Sequence, residues 1–129
     1  MAGASGQTNE LQWEVSAGAG PDNLVCNYLC GADDAVDFCG RLLYGNTIFP
    51  VLYLSVRNLT YDPKGSGPNP ERPDGTTSWV MRTVDKDGRW RERRLATKHE
   101  LFAMLVAEVA LGKPRIRAWR AGAPDMTPA

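Results

Sequence analysis

Three stretches of the chain carry a hydrophobic period that suits only one kind of element. From Leu11 to Ala17 (LQWEVSA), Leu11, Trp13 and Val15 alternate with Gln12, Glu14 and Ser16, the pattern of a half-buried strand. From Thr97 to Gly112 (TKHELFAMLVAEVALG) the period lengthens, and Leu101, Phe102, Leu105, Val106 and Val109 make one wide apolar stripe at helical spacing. Both ends of that helix are also specified. Thr97 followed by Glu100 is a capping box, in which the hydroxyl accepts from the Glu100 N–H and the carboxylate accepts from the Thr97 N–H. Gly112 suits the residue just past the helix, and Pro114 forbids continuation. Ile48 to Val56 (IFPVLYLSV) has the near-continuous apolarity of a central strand buried on both faces, with Pro50 at its beginning or on a bulge.

Weaker patterns fill the intervals. Gly18 to Asn23 is turn chemistry, and Leu24 to Leu29 reads as the strand returning from it. Gly31-Ala32-Asp33-Asp34 opens a first helix, with Asp33 able to cap it and Val36, Cys39, Leu42 and Leu43 on one face; Gly45-Asn46 ends it. Trp79 to Val84, the turn Asp85 to Gly88, and Arg89 to Leu95 form a second hairpin, and Arg115 to Trp119 a last strand. The order β-β-α-β-β-β-α-β predicts one α+β domain, an antiparallel or mixed sheet of about five to six strands with two helices on one face. Residues 1–9 and 121–129 read as flexible tails. Asp62 to Thr77, with four prolines and three glycines, reads as a long exposed loop.

Composition changes this picture in one respect. At 129 residues, 43% hydrophobic and 23% charged, the chain suits a single core. Its fifteen basic and fifteen acidic residues cancel, but residues 1–81 hold four bases against nine acids while residues 82–129 hold eleven bases against six acids. That split predicts two surfaces of opposite sign. No run approaches roughly eighteen apolar residues and the N-terminus has no apolar leader segment, so a cytoplasmic protein is expected, with no membrane association and with Cys26, Cys30 and Cys39 as reduced thiols.

Candidate chemistry is sparse. Cys26-x3-Cys30 lacks zinc-knuckle spacing, and the one histidine, His99, falls in the first turn of the second helix. There is no glycine-rich phosphate loop, nucleophile elbow or metal-spaced pair, so no enzyme activity, no cofactor and no metal is expected. A catalytic Cys26 or Cys39 is the outlying alternative. Asp33, Asp34 and Asp37 form an acidic cluster that either complements the helix dipole or contacts a basic partner protein. Tyr61 and Trp79 at the edges of the proline-rich loop are further candidate partner contacts. Arg89, Arg91, Arg93 and Arg94, with Arg115, Arg117 and Arg120, form a basic ladder. If the strands bearing them are neighbours, their guanidinium groups share a surface beside Trp90 and Trp119 that suits nucleic acid.

Two segments carry a resemblance. GADDAVDFCGRLLYGNTIFPVLYLSV resembles the helix-then-strand opening of the first-numbered immunity-protein family of bacterial polymorphic toxin systems. TKHELFAMLVAEVALGKPRIRAW is similar to that family's closing helix, its break at Gly112 and Pro114, and a final strand ending in Trp119. The resemblance implies a non-enzymatic inhibitor that binds one toxin domain and occludes its active site, with Asp33, Asp34 and Asp37 or the Asp62–Thr77 loop as contacts. A phage-encoded anti-defence inhibitor and a nucleic-acid-binding domain built on the arginine ladder are the alternatives.

Overall fold

In the computed structural model, which describes residues 12–45, 48–61 and 79–120, six strands form one antiparallel sheet. The elements are β1 (Trp13–Gly20), β2 (Asn23–Cys30), α1 (Ala32–Gly40) with a π-helical turn (Arg41–Gly45), β3 (Tyr53–Asn58), β4 (Trp79–Val84), β5 (Trp90–Leu95), α2 (Lys98–Ala110) and β6 (Arg115–Arg120). The fold is therefore α+β in the expected order, and the strands lie side by side as β2-β1-β3-β6-β4-β5. The two end regions and the Asp62–Thr77 loop fall largely or wholly outside the described residues.

Both helices cover one face of the sheet, and the core lies between. Trp13, Val15 and Ala17 of β1 face Leu54 and Val56 of β3, Ile116 and Ala118 of β6, and Trp79 and Met81 of β4 in register; Ala35, Cys39, Leu101, Leu105 and Val109 of the helices close over them. The stripe on α2 is narrower than its sequence predicts. Leu101, Leu105 and Val109 are buried, whereas Val106 is exposed because three residues per two turns suffice to meet the sheet.

The ends of α2 follow the chemistry written in the chain. Glu100 N–H donates to Thr97 Oγ1 at 3.1 Å, and the Glu100 carboxylate accepts from the Ala96 N–H at 2.7 Å, one residue earlier than the capping box predicts. At the other end Gly112 takes φ +71°, its N–H donates to Val109 O, and the Lys113 N–H donates to Glu108 O, a complete Schellman motif. At α1, Gly31 rather than Asp33 occupies the capping position, and no side chain caps it. Strand β3 starts at Tyr53, so Pro50 lies outside it, and β1 runs through Gly18-Ala19-Gly20 before turning.

The second hairpin is fastened to the end of α2. Asp85 at its turn accepts from the Lys113 ammonium, and this hydrogen bond holds the Asp85 carboxyl below the usual carboxylate range. A depressed folded-state pKa stabilises above the unfolded-chain value of about 3.9, and that stabilisation is lost as pH falls through the folded value. Asp85→Asn is thus expected to lower stability by on the order of 1 kcal/mol or less at pH 7, since the pair is partly solvent-screened. The deficit should shrink as pH falls from the unfolded-chain value through the lowered folded-state value, where wild type loses the same contribution, as urea midpoints followed across that range would show.

Candidate functional site

The two edges of the sheet differ in kind. β5 (WRERRL) carries a charge at four of its six positions, and such charges deter pairing with another strand. β2 (NLVCNYLC) carries no charge at all, and Leu24, Val25, Tyr28 and Leu29 are each 40–60% exposed. An eight-residue edge strand with unpaired backbone groups on its outer side and no guarding charge is a template for another chain.

Helix α1 frames this edge. Tyr28 stacks against Phe38 with centroids 4.7 Å apart, and together with Asp34, Asp37 and Arg41 they line a hollow of about 310 Å³. On the other side of α1, Asp33 and Asp37 line a shallower hollow with Val36, Tyr44 and Phe102. Asp37 therefore borders both, and it pairs with Arg41 at 3.1 Å across one helical turn. All three aspartates are exposed, with Asp33 and Asp34 in the first turn, where the helix dipole favours them. Asp22 in the β1–β2 turn adds a fourth carboxylate along the same edge.

The other candidates separate. Trp79 is 3% exposed and belongs to the core, because it sits on the helix-facing side of β4; it is not a partner contact. Tyr61 is exposed but packs under the Lys86 ammonium at 4.3 Å, which ties it to the β4–β5 turn rather than to the acidic turn. The arginine ladder does not form one surface. β4 lies between β6 and β5, so the condition of neighbouring strands fails. Register places Arg91 and Arg93 opposite Thr83 and Met81, toward the helix side, while Arg94 shares the other face with Val80.

Arg115 and Arg117 lie on that other face, within the sheet's interior strands. Arg115 Nε donates to Ser55 Oγ at 3.1 Å, and Arg117 is 3% exposed. Arg117 and Arg115 both lie close enough to Tyr53 to favour its ionised form, yet burial dominates and the Tyr53 hydroxyl is pushed up. Arg82, on the same face, is held by Glu92 at 2.6 Å and covered by the Trp90 ring at 3.9 Å. These guanidinium groups are engaged within the sheet, Arg120 lies half-buried at the end of β6, and Arg89, Arg91, Arg93 and Arg94 remain as the exposed part of the ladder at the β5 edge. The predicted charge division therefore becomes a division between the two ends of the sheet, with carboxylates of α1 and the β1–β2 turn beside the uncharged β2 and arginines on β5.

The cysteines are free thiols. Cys30 and Cys39 are buried, and burial raises them to about 11 and about 12, so neither is a thiolate nucleophile near neutral pH. Among the described residues no group of three histidine, cysteine or carboxylate side chains is placed to hold a metal, and no helix is long and apolar enough to cross a membrane. Comparison of the chain with protein-family models, curated proteins and solved structures finds no match.

Proposed function

We propose that the protein is a non-enzymatic, stoichiometric binder of another protein, an inhibitor of the immunity or anti-defence kind, and that the β2 edge with the acidic turn of α1 is the surface it uses. The single observation that supports this reading is the contrast between edges: β2 is uncharged and exposes Leu24, Val25, Tyr28 and Leu29, whereas β5 is guarded by arginines. An extended segment of the partner would add to β2 through main-chain hydrogen bonds, which supply affinity without requiring a particular sequence. Specificity would come from its alternate side chains. On the helix side these reach the hollow of Tyr28, Phe38, Asp34 and Asp37, which suits a lysine or arginine; on the other they meet Val25 and Leu29. Inhibition follows by occlusion when that basic segment belongs to the partner's working surface. The immunity and anti-defence forms of this reading differ only in which partner is bound.

The test is a tagged pull-down from cells of the natural host, with nuclease treatment, comparing four baits. A single protein recovered in stoichiometric amount should survive nuclease and be retained by an Arg89→Glu/Arg91→Glu bait. Recovery should fall at least tenfold for Val25→Lys, which guards the edge, and for Asp33→Lys/Asp34→Lys/Asp37→Lys, which reverses its charge. The opposite pattern, with recovery lost to nuclease and to the arginine reversals, would sink the reading in favour of nucleic acid at β5.

A further inference from the structure

Arg120 stands where the alternation of β6 requires an apolar residue. Ile116, Ala118 and Arg120 share the helix-facing side of the strand, and the first two are fully buried in the core. Arg120 lies opposite Trp79 in register, and among the described residues no hydrogen bond or ion pair engages its guanidinium. It opens instead into a cavity of about 350 Å³ at the end of the sheet opposite the contacts of Asn58 with the α2–β6 connection, lined by Leu42, Leu43, Phe49, Val51 and Trp79 among others. Lys98 joins it there from the first turn of α2. The Lys98 ammonium is fixed in place, donating to Leu43 O at 2.9 Å and lying 5.0 Å from the Tyr44 ring.

The described lining thus combines one apolar wall with two cations and no carboxylate. A local rule broken at Arg120, with no side-chain partner among the described residues, is the kind of departure expected at functional or strained positions. We infer that this cavity binds a small organic acid, an apolar body carrying one carboxylate. The body would lie against Phe49, Pro50 and Val51, over the buried Trp79, while Arg120 takes the carboxylate through two parallel N–H donors and Lys98 adds a second positive charge. The volume equals that of about a dozen waters at roughly 30 Å³ each, which leaves room for a ligand of about ten non-hydrogen atoms. The site is separate from the β2 edge and does not depend on the binding reading above.

The test uses 4-phenylbutyrate and its neutral amide as probes, titrated into the whole protein and followed by amide and indole nitrogen–proton NMR. The acid should bind in the millimolar range or tighter and move the Trp79 indole and the Lys98 amide signals, with the amide at least tenfold weaker. Arg120→Gln should weaken the acid at least tenfold, whereas Arg94→Gln at the β5 edge should leave it unchanged. Equal binding of acid and amide would overturn the carboxylate assignment. Shifts confined to other regions, or no shift at all, would overturn the site. Should Arg120→Gln fail to fold, the comparison of acid with amide on the native chain still decides.

Discussion

Truncating Leu105 to alanine is expected to destabilise the protein by about 2–5 kcal/mol, the range for a buried leucine whose surroundings cannot collapse into the space. Leu105 is 1% exposed and sits in the middle of the α2 stripe, between Leu101 and Val109, where the helix meets the sheet. Sheet and helix are held there by side chains from several strands, so relaxation around a cavity is limited. Val106 on the adjacent position is 39% exposed, and Val106→Ala should cost well under about 1 kcal/mol. Urea denaturation of the two variants measures the rotational setting of α2 directly. A Leu105→Ala midpoint close to wild type, or a Val106→Ala cost equal to it, would show that the helix lies on the sheet by a different face. Against a total stability of about 5–15 kcal/mol for a domain of this kind, the first substitution removes a large share.

The parts of the fold that were legible in the chain are those where local chemistry and burial agree. The α2 helix has a cap, a stripe and a glycine stop that all point to one answer, and it occupies those bounds. The order of elements and the layering also followed from periodicity alone. What could not be read was the sideways order of the strands. Nothing in Arg115-Ile116-Arg117 or in Arg89-Trp90-Arg91 states that β4 separates them, since strand neighbours are chosen by contacts far apart in sequence. That single unknown divided the proposed arginine surface, leaving Arg115 bonded to Ser55 and Arg117 buried in the sheet while Arg89, Arg91, Arg93 and Arg94 stay exposed at its edge.

The candidate site was legible in half. The acidic residues Asp33, Asp34 and Asp37 announced themselves, but the apolar edge beside them did not, because an exposed edge strand and a buried one carry similar side chains. Leu24-Val25-Cys26 was read as ordinary strand material, and only its place at the end of the sheet makes it exposed. One signal was available: β2 is the strand without a charge next to the helix that has three. Trp79 failed in the other direction. Its position beside a proline-rich stretch suggested a surface role, yet alternation along β4 puts it with Met81 in the core.

Replacing Gly18 with alanine is expected to disrupt the β1–β2 hairpin and with it the proposed binding edge. Gly18 lies where the pairing of β1 with β2 shifts register on both sides, a bulge that brings the two backbones unusually close. A Cβ built there would fall inside the radius of the Asn23 carbonyl oxygen and 2.7 Å from Leu24 Cα. Both are backbone atoms, so no side chain can swing aside. The Gly18 carbonyl also accepts from the Leu52 N–H at 3.0 Å, which fixes β1 from the β3 side and directs the displacement outward into β2. The cost should reach or exceed the upper end of the about 1–3 kcal/mol typical of overpacking. Gly20→Ala is the control, since a Cβ there meets nothing nearer than the Trp119 ring at 3.6 Å, an ordinary contact. Hydrogen exchange should show Asn23–Cys30 losing protection in Gly18→Ala while the α2 and β6 amides keep theirs, because the hairpin lies at the sheet's edge and opens without the core. Partner capture should fall with it. A Gly18→Ala protein as stable as Gly20→Ala would mean that the two strands are further apart than this bulge places them. A variant that opens the hairpin yet keeps its partner would move the binding surface away from β2.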